Sequence, residues 1–168
     1  DDETWMSSQG GFGYGDGDDG TILGPAISVY FRKFFNVFDK NKLSCAILSA
    51  DYDDGYIAYL NGIEISRSNN LPDPGTFVSF DETTFYDHEA SLYNGGSPDN
   101  IFIDSLLLNN LLVDGENVLS VQVHNVGISS SDMSGNFFLT FGISDGSEFY
   151  SQPPFWFQEP VVYDESNL

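Results

Sequence analysis

The chain has 168 residues, 40% of them apolar and 15% aromatic, which suits one domain with a real hydrophobic core. Lys and Arg total 5 against 26 Asp and Glu, and the net charge of −21 repels phosphate backbones and anionic lipid surfaces. That argues against nucleic-acid and membrane-surface partners and points to divalent cations as compensation.

Residues 1–26 are rich in Gly and Asp but carry Trp5, Phe12 and Tyr14, so they read as a packed loop rather than a disordered leader. From Ile27 to Phe38 the chain alternates as a strand with large side chains on both faces. Val29, Phe31, Phe35 and Val37 share one side, and Tyr30, Phe34 and Phe38 share the other. A polar turn at Asp39–Lys42 precedes a second strand from Leu43 to Ala50. Cys45 is the only cysteine, so an internal disulfide is excluded, and its apolar neighbours suggest a buried, inert thiol.

An Asp53-Asp54-Gly55 corner opens the next unit. Asn61-Gly62 joins the runs Tyr56–Leu60 and Ile63–Ile65, and this dipeptide accepts positive φ at both central positions of a two-residue hairpin turn. Residues 68–100 read as turn clusters between short strands around Phe77–Phe80 and Thr84–Tyr86. The leucine-rich stretch Ile103–Leu112 is the only expected helix, of one or two turns. A strand at Asn117–Asn125, a Ser-rich loop at 127–135 and a strand at Asn136–Ile143 complete the pattern.

Short strands separated by dense turns predict an all-β fold, an antiparallel two-sheet β-sandwich of the jelly-roll kind with at most one short helix. Residues 1–148 form the module. Residues 149–168, with Phe155-Trp156-Phe157 between prolines, form an aromatic extension expected to lie along the sandwich or to lead into a following domain. No apolar run is long enough to span a membrane as a helix. The chain opens on Asp1 without an initiator Met and is read as a segment whose leader is gone.

Two acidic loops carry the chemistry. Asp16, Asp18 and Asp19 place three carboxylates on a glycine-rich backbone, which suits calcium's demand for six to eight oxygens in tolerant geometry. The loop lacks the terminal Glu of a calcium-binding hand, where Ile27 stands instead. Asp51, Asp53 and Asp54 are the second candidate set, with Asp132 and Asn136 as further oxygens. Trp5, Tyr14, Arg67, Asn69, Tyr93 and Asn94 combine aromatic faces with planar polar groups, as sugar recognition requires. His88 and His124 have no Ser or Cys nucleophile motif nearby, and no carboxylate sits in the apolar pocket of a general acid, so the expectation is a protein that is not an enzyme.

Four linked motifs support a resemblance: the Gly13-Tyr14-Gly15-Asp16-Gly17 loop, the Tyr30-Phe31-Arg32-Lys33 strand that follows it, the Asp53-Asp54-Gly55…Leu60-Asn61-Gly62 hairpin, and the strand Gly115–His124. Across residues 12–143 the chain resembles the galactose-binding-like jelly-roll modules of secreted bacterial surface proteins. Those modules sit beside lamin-tail, metallophosphoesterase or spore-coat-kinase-like domains. The Asp53-Asp54 pair is also similar to the lectin-like domains of cell-surface adhesins, in which adjacent aspartates hold calcium that coordinates sugar hydroxyls. Taken together with the acidic loops, the resemblance gives the expectation of a non-catalytic, calcium-stabilised module at the bacterial cell surface, binding carbohydrate or a cell-surface glycan. A self-assembling subunit of an extracellular filament or surface layer is the alternative.

Overall fold

The computed structural model describes residues 3–17 and 19–144. In chain order these residues form β1 (Phe12–Tyr14), β2 (Thr21–Ile22), β3 (Ser28–Val37), β4 (Leu43–Asp53), β5 (Gly55–Leu60), β6 (Ile63–Arg67), β7 (Asp99–Asp104), α1 (Ser105–Leu111), β8 (Gly115–His124) and β9 (Met133–Ile143). The strands make two sheets, ordered β2-β1-β9-β4-β7 and β3-β8-β5-β6. All pairs are antiparallel except the short β1–β2 pair. The expected all-β two-sheet sandwich is the observed architecture.

Alternation along each strand sorts the side chains between core and outside. Ala46, Leu48, Ala50 and Tyr52 of β4 face Tyr56, Ala58 and Leu60 of β5 and Leu119, Val121 and Val123 of β8 across the sandwich. On β3, Val29, Phe31 and Phe35 pack against that core, while Tyr30 and Phe34 are exposed on the opposite side. Both faces of β3 therefore follow the pattern read from its sequence. The helix closes one end: Asp104 caps it by accepting the Leu107 N–H at 2.8 Å, and Leu108 and Leu111 point inward.

The Asn61-Gly62 turn joins β5 to β6 with φ of 51° and 83°, as a two-residue hairpin of this twist requires. The Asn61 side chain secures the turn from outside by donating to Leu111 O and Asn117 Oδ1 and accepting from the Val118 N–H. No atom lies within 4 Å of a Cβ built on Gly62, so backbone strain alone sets the cost of a substitution. Gly62→Val is expected to destabilise the domain by about 1 kcal/mol or more, because a β-branched residue resists positive φ. Denaturant unfolding measures this, and an unchanged midpoint would contradict it.

Four expectations are corrected. β4 runs on through Asp53, so Asp51 and Asp53 are strand residues and the chain breaks only at Asp54. Neither Phe77–Phe80 nor Thr84–Tyr86 is a strand. The backbone there bonds to side chains and loops instead, as in Ser28 Oγ to Phe80 O at 2.6 Å and Phe85 N–H to Asn70 O at 2.8 Å. Sheet pairing is found at β7, where no strand was expected. Cys45 is half-buried rather than buried, because it lies on the outer face of β4 beside the register shift at Leu43/Cys45. The aromatic extension at 149–168, Trp156 included, lies outside the described residues, as does Asp18. Among the described residues no helix is long and apolar enough to cross a membrane.

Candidate functional site

At the end of β4 two adjacent aspartates, both buried, do different work. Asp54 is a latch. Its Oδ1 accepts the His88 N–H at 2.9 Å and its Oδ2 accepts the Val126 N–H at 2.6 Å. Its own N–H donates to His124 O, and its carbonyl accepts from Asn70 Nδ2. The peptide bond between Asp53 and Asp54 is cis. Four chain segments thus meet at one residue. Asp51 plays a similar part further down the strand, accepting the N–H groups of Ser91 at 2.7 Å and Leu92 at 3.2 Å.

The latch places the next residues of each loop around Asp53. His88 stacks its ring on Tyr52 at 4.2 Å and an interplanar angle of 8°, with Nδ1 3.0 Å from Tyr52 O. This sets Glu89 beside Asp53. From the other side, Asp132 is tied down through its carbonyl, which accepts from Asn125 Nδ2 at 3.4 Å. One carboxylate oxygen from each of Asp53, Glu89 and Asp132 lies within 4.8 Å of the other two. Burial foremost, then the neighbouring charges of Asp54, Asp132 and Glu89, push the Asp53 carboxyl up to about 8. Three carboxyl groups converge here, one of them buried.

Two residues tied to members of this cluster each carry a buried oxygen with no hydrogen-bond partner among the described residues. Asn125 is fully buried, and its amide nitrogen is occupied by Tyr14 Oη at 2.9 Å and Ala26 O at 3.2 Å, but its Oδ1 is unsatisfied. Ser134, the register partner of Asp53 on β9, is equally buried with a bare Oγ. Buried oxygens normally find a donor or a cation. The three carboxylates offer oxygen alone, which fits calcium's ligand preference and lacks the nitrogen and sulfur that softer metals take.

The two acidic loops of the sequence thus separate by role. Of Asp51, Asp53 and Asp54, Asp53 alone joins a carboxylate group, with partners from remote loops. Asp16 and Asp19 lie half-buried between β1 and β2. Asp19 covers Gly13, where a Cβ would collide with its carboxylate, and Gly15 packs against Asp132 Cβ, which brings the loop alongside the cluster. Asn136, suggested as a further oxygen, sits beside Gly11.

The sugar-recognition candidates do not converge. Tyr14 is buried, its hydroxyl held by Asn125, and presents no face to a ligand. Arg67 is consumed by Glu64 in a bidentate pair at 2.8 and 2.9 Å and by the carbonyls of Pro72 and Thr76. Asn69 accepts from Tyr86 Oη at 2.7 Å. Tyr93 and Asn94 are exposed on a short 3-10 turn, and Trp5 is half-exposed beneath the Arg32 guanidinium at 5.5 Å. His124, expected to be a satisfied structural residue, is fully buried with Nδ1 2.8 Å from Glu82 O. Glu89 and Asn125 were not read from the sequence. Neither lies in an acidic or metal-like motif, and only the fold brings them to Asp53.

No family model matches the chain, and no curated protein does. Among solved structures it is similar to the Streptomyces avermitilis α-L-rhamnosidase, in a crystal structure complexed with L-rhamnose. The two are 19% identical, with a TM-score of 0.46. The match covers 85% of this chain but only 12% of that one, so this chain corresponds to a small part of the enzyme.

Proposed function

We propose that the chain is a non-catalytic, calcium-stabilised β-sandwich module of an extracellular bacterial protein, serving carbohydrate binding or cell-surface attachment. The convergence of Asp53, Glu89 and Asp132, with Asp132 tied to an Asn125 whose Oδ1 is unsatisfied, carries this reading. Such a group is unfavourable in its fully ionised form without a cation, and calcium concentrations outside cells are high enough to fill an oxygen site of modest affinity. A bound ion would join β4, the His88–Glu89 segment and the Ser-rich loop, fixing the loops at one end of the sandwich.

Calcium is expected to raise the melting temperature by several degrees over excess chelator at matched ionic strength, because a cation bound only to the native state stabilises it by mass action. Identical melting curves, with metal removal confirmed, would refute the calcium reading.

One observation favours self-assembly as a second reading. β3 is an edge strand, and between it and β9 a cavity of about 520 Å³ is lined by Phe12, Phe31, Leu119, Val121 and Phe137. An edge beside an apolar cleft suits a strand donated by a second copy. Size-exclusion chromatography decides: concentration-dependent oligomers support this reading, and a monomer throughout removes it.

A further inference from the structure

The outer face of the β3-β8-β5-β6 sheet carries a second feature, on the opposite sheet from the carboxylate cluster. The register sets Arg32, Ser120 and Tyr59 side by side on β3, β8 and β5, and Tyr30 beside Gln122 one step along. All five point away from the core, because their strand neighbours Phe31, Val121 and Ala58 point into it. Serine between arginine and tyrosine makes a dip in an otherwise bulky row. The result is a trough of about 170 Å³ with Ser120 and Gln122 as its floor. Tyr59 forms one wall. Tyr30, Arg32 and Trp5 form the other, with the guanidinium stacked over the indole.

The polar groups of this trough are held in place. Gln122 Nε2 donates to the Tyr59 hydroxyl at 2.7 Å, leaving that hydroxyl its own proton to donate outward. Gln122 Oε1 in turn lies 3.2 Å from the buried ring of His124, which fixes the amide. Ile57, Leu71 and Val78 form a separate apolar cluster beneath the 68–80 loop, and Tyr59 packs against it, so the wall is rigid. The trough combines half-exposed aromatic faces with hydroxyl groups that both donate and accept.

We infer that this trough binds one ring of a neutral sugar. The apolar C–H face of a pyranose suits Trp5 and Tyr30, and its hydroxyls suit Tyr59, Ser120 and Arg32. The chain's net charge of −21 disfavours anionic glycans and acidic peptides. The dip between Tyr30 and Tyr59 accommodates a single ring better than an extended peptide. This inference rests on the carbohydrate-binding reading above and places the sugar on the sheet face rather than at the loops around Asp53.

The test is amide chemical-shift mapping on the calcium-loaded chain. The probes are neutral hexose and pentose monosaccharides and their disaccharides, with a proline-rich peptide in parallel. Sugar-induced shifts centred on Tyr59, Ser120 and Gln122 are expected. They should disappear in Ser120→Leu, which fills the dip, and weaken at least tenfold in affinity in Trp5→Ala, which lies outside the sheets. Both variants should retain the parent melting temperature, since neither position is buried. Sugar shifts centred on His88 and Val126 instead, or surviving Ser120→Leu, would overturn the trough while leaving carbohydrate binding intact. No shift with any sugar would overturn both, as would a response to the peptide alone.

Discussion

Asp54→Ala is expected to destabilise the domain by about 3 kcal/mol, the largest single loss at any residue of the candidate site. Two N–H groups, His88 and Val126, lose their acceptor, and each unsatisfied buried donor costs about 1–3 kcal/mol. Asp54 is 3% exposed, so water reaches these groups only if the loops open. Opening would also release Glu89 and Asp132 from Asp53 and weaken any response to calcium. The effect should therefore appear twice, as a lower denaturation midpoint and as a smaller calcium-induced rise in melting temperature. Retention of the full calcium response would mean that the latch does not assemble the carboxylate group. Loss of stability without loss of response would leave its structural role standing alone.

Local physics made much of the fold legible. Asn61-Gly62 announces its hairpin because positive φ at consecutive positions is a property of those residues themselves. The alternation on β3 and β8 survives folding because each strand has one face on the core. The segment from Ser68 to Pro98 was opaque for the opposite reason. Its apolar residues suggested strands, yet its backbone bonds go to Asn70 across the segment itself and to Asn125, Asp51 and Asp54 outside it, none of them a ladder partner. The exposed Phe77, Phe80 and Phe85 look like strand residues to any local rule.

The site was legible only by halves. Clustered aspartates marked the end of β4, but nothing in Asp51-Tyr52-Asp53-Asp54 shows which carboxylate latches and which meets other anions. Strand geometry decides that. Asp53 points out toward Ser134 of the neighbouring strand, whereas Asp54 has left the ladder and turns its oxygens to two loop amides. Tyr14 and Arg67 show the converse limit. Both are residue types that bind sugars, and both are spent on internal hydrogen bonds.

Asp53→Asn should have the opposite sign to its neighbour, and its effect should depend on pH. The metal-free folded chain holds the Asp53 proton up to about 8, whereas the unfolded chain releases it near 3.8. Between these values the folded state binds more protons, so this residue's contribution to stability falls as pH rises, and the whole cost is present above about 8. General repulsion among the other carboxylates also grows with pH, but it acts on parent and variant alike. The difference between the two isolates Asp53. In chelator the variant should melt level with the parent near pH 4 and on the order of 5 °C above it near pH 8, since it keeps the shape and loses the buried charge. Calcium should reverse the order at high pH, raising the parent and leaving the variant largely unmoved, because the cation stabilises the ionised form. Differential scanning calorimetry across that range, with and without calcium, reads all four limbs. A variant that falls below the parent in chelator at pH 8 would show that the Asp53 carboxylate makes a favourable contact of its own, and the cluster would then lose its claim to need a cation.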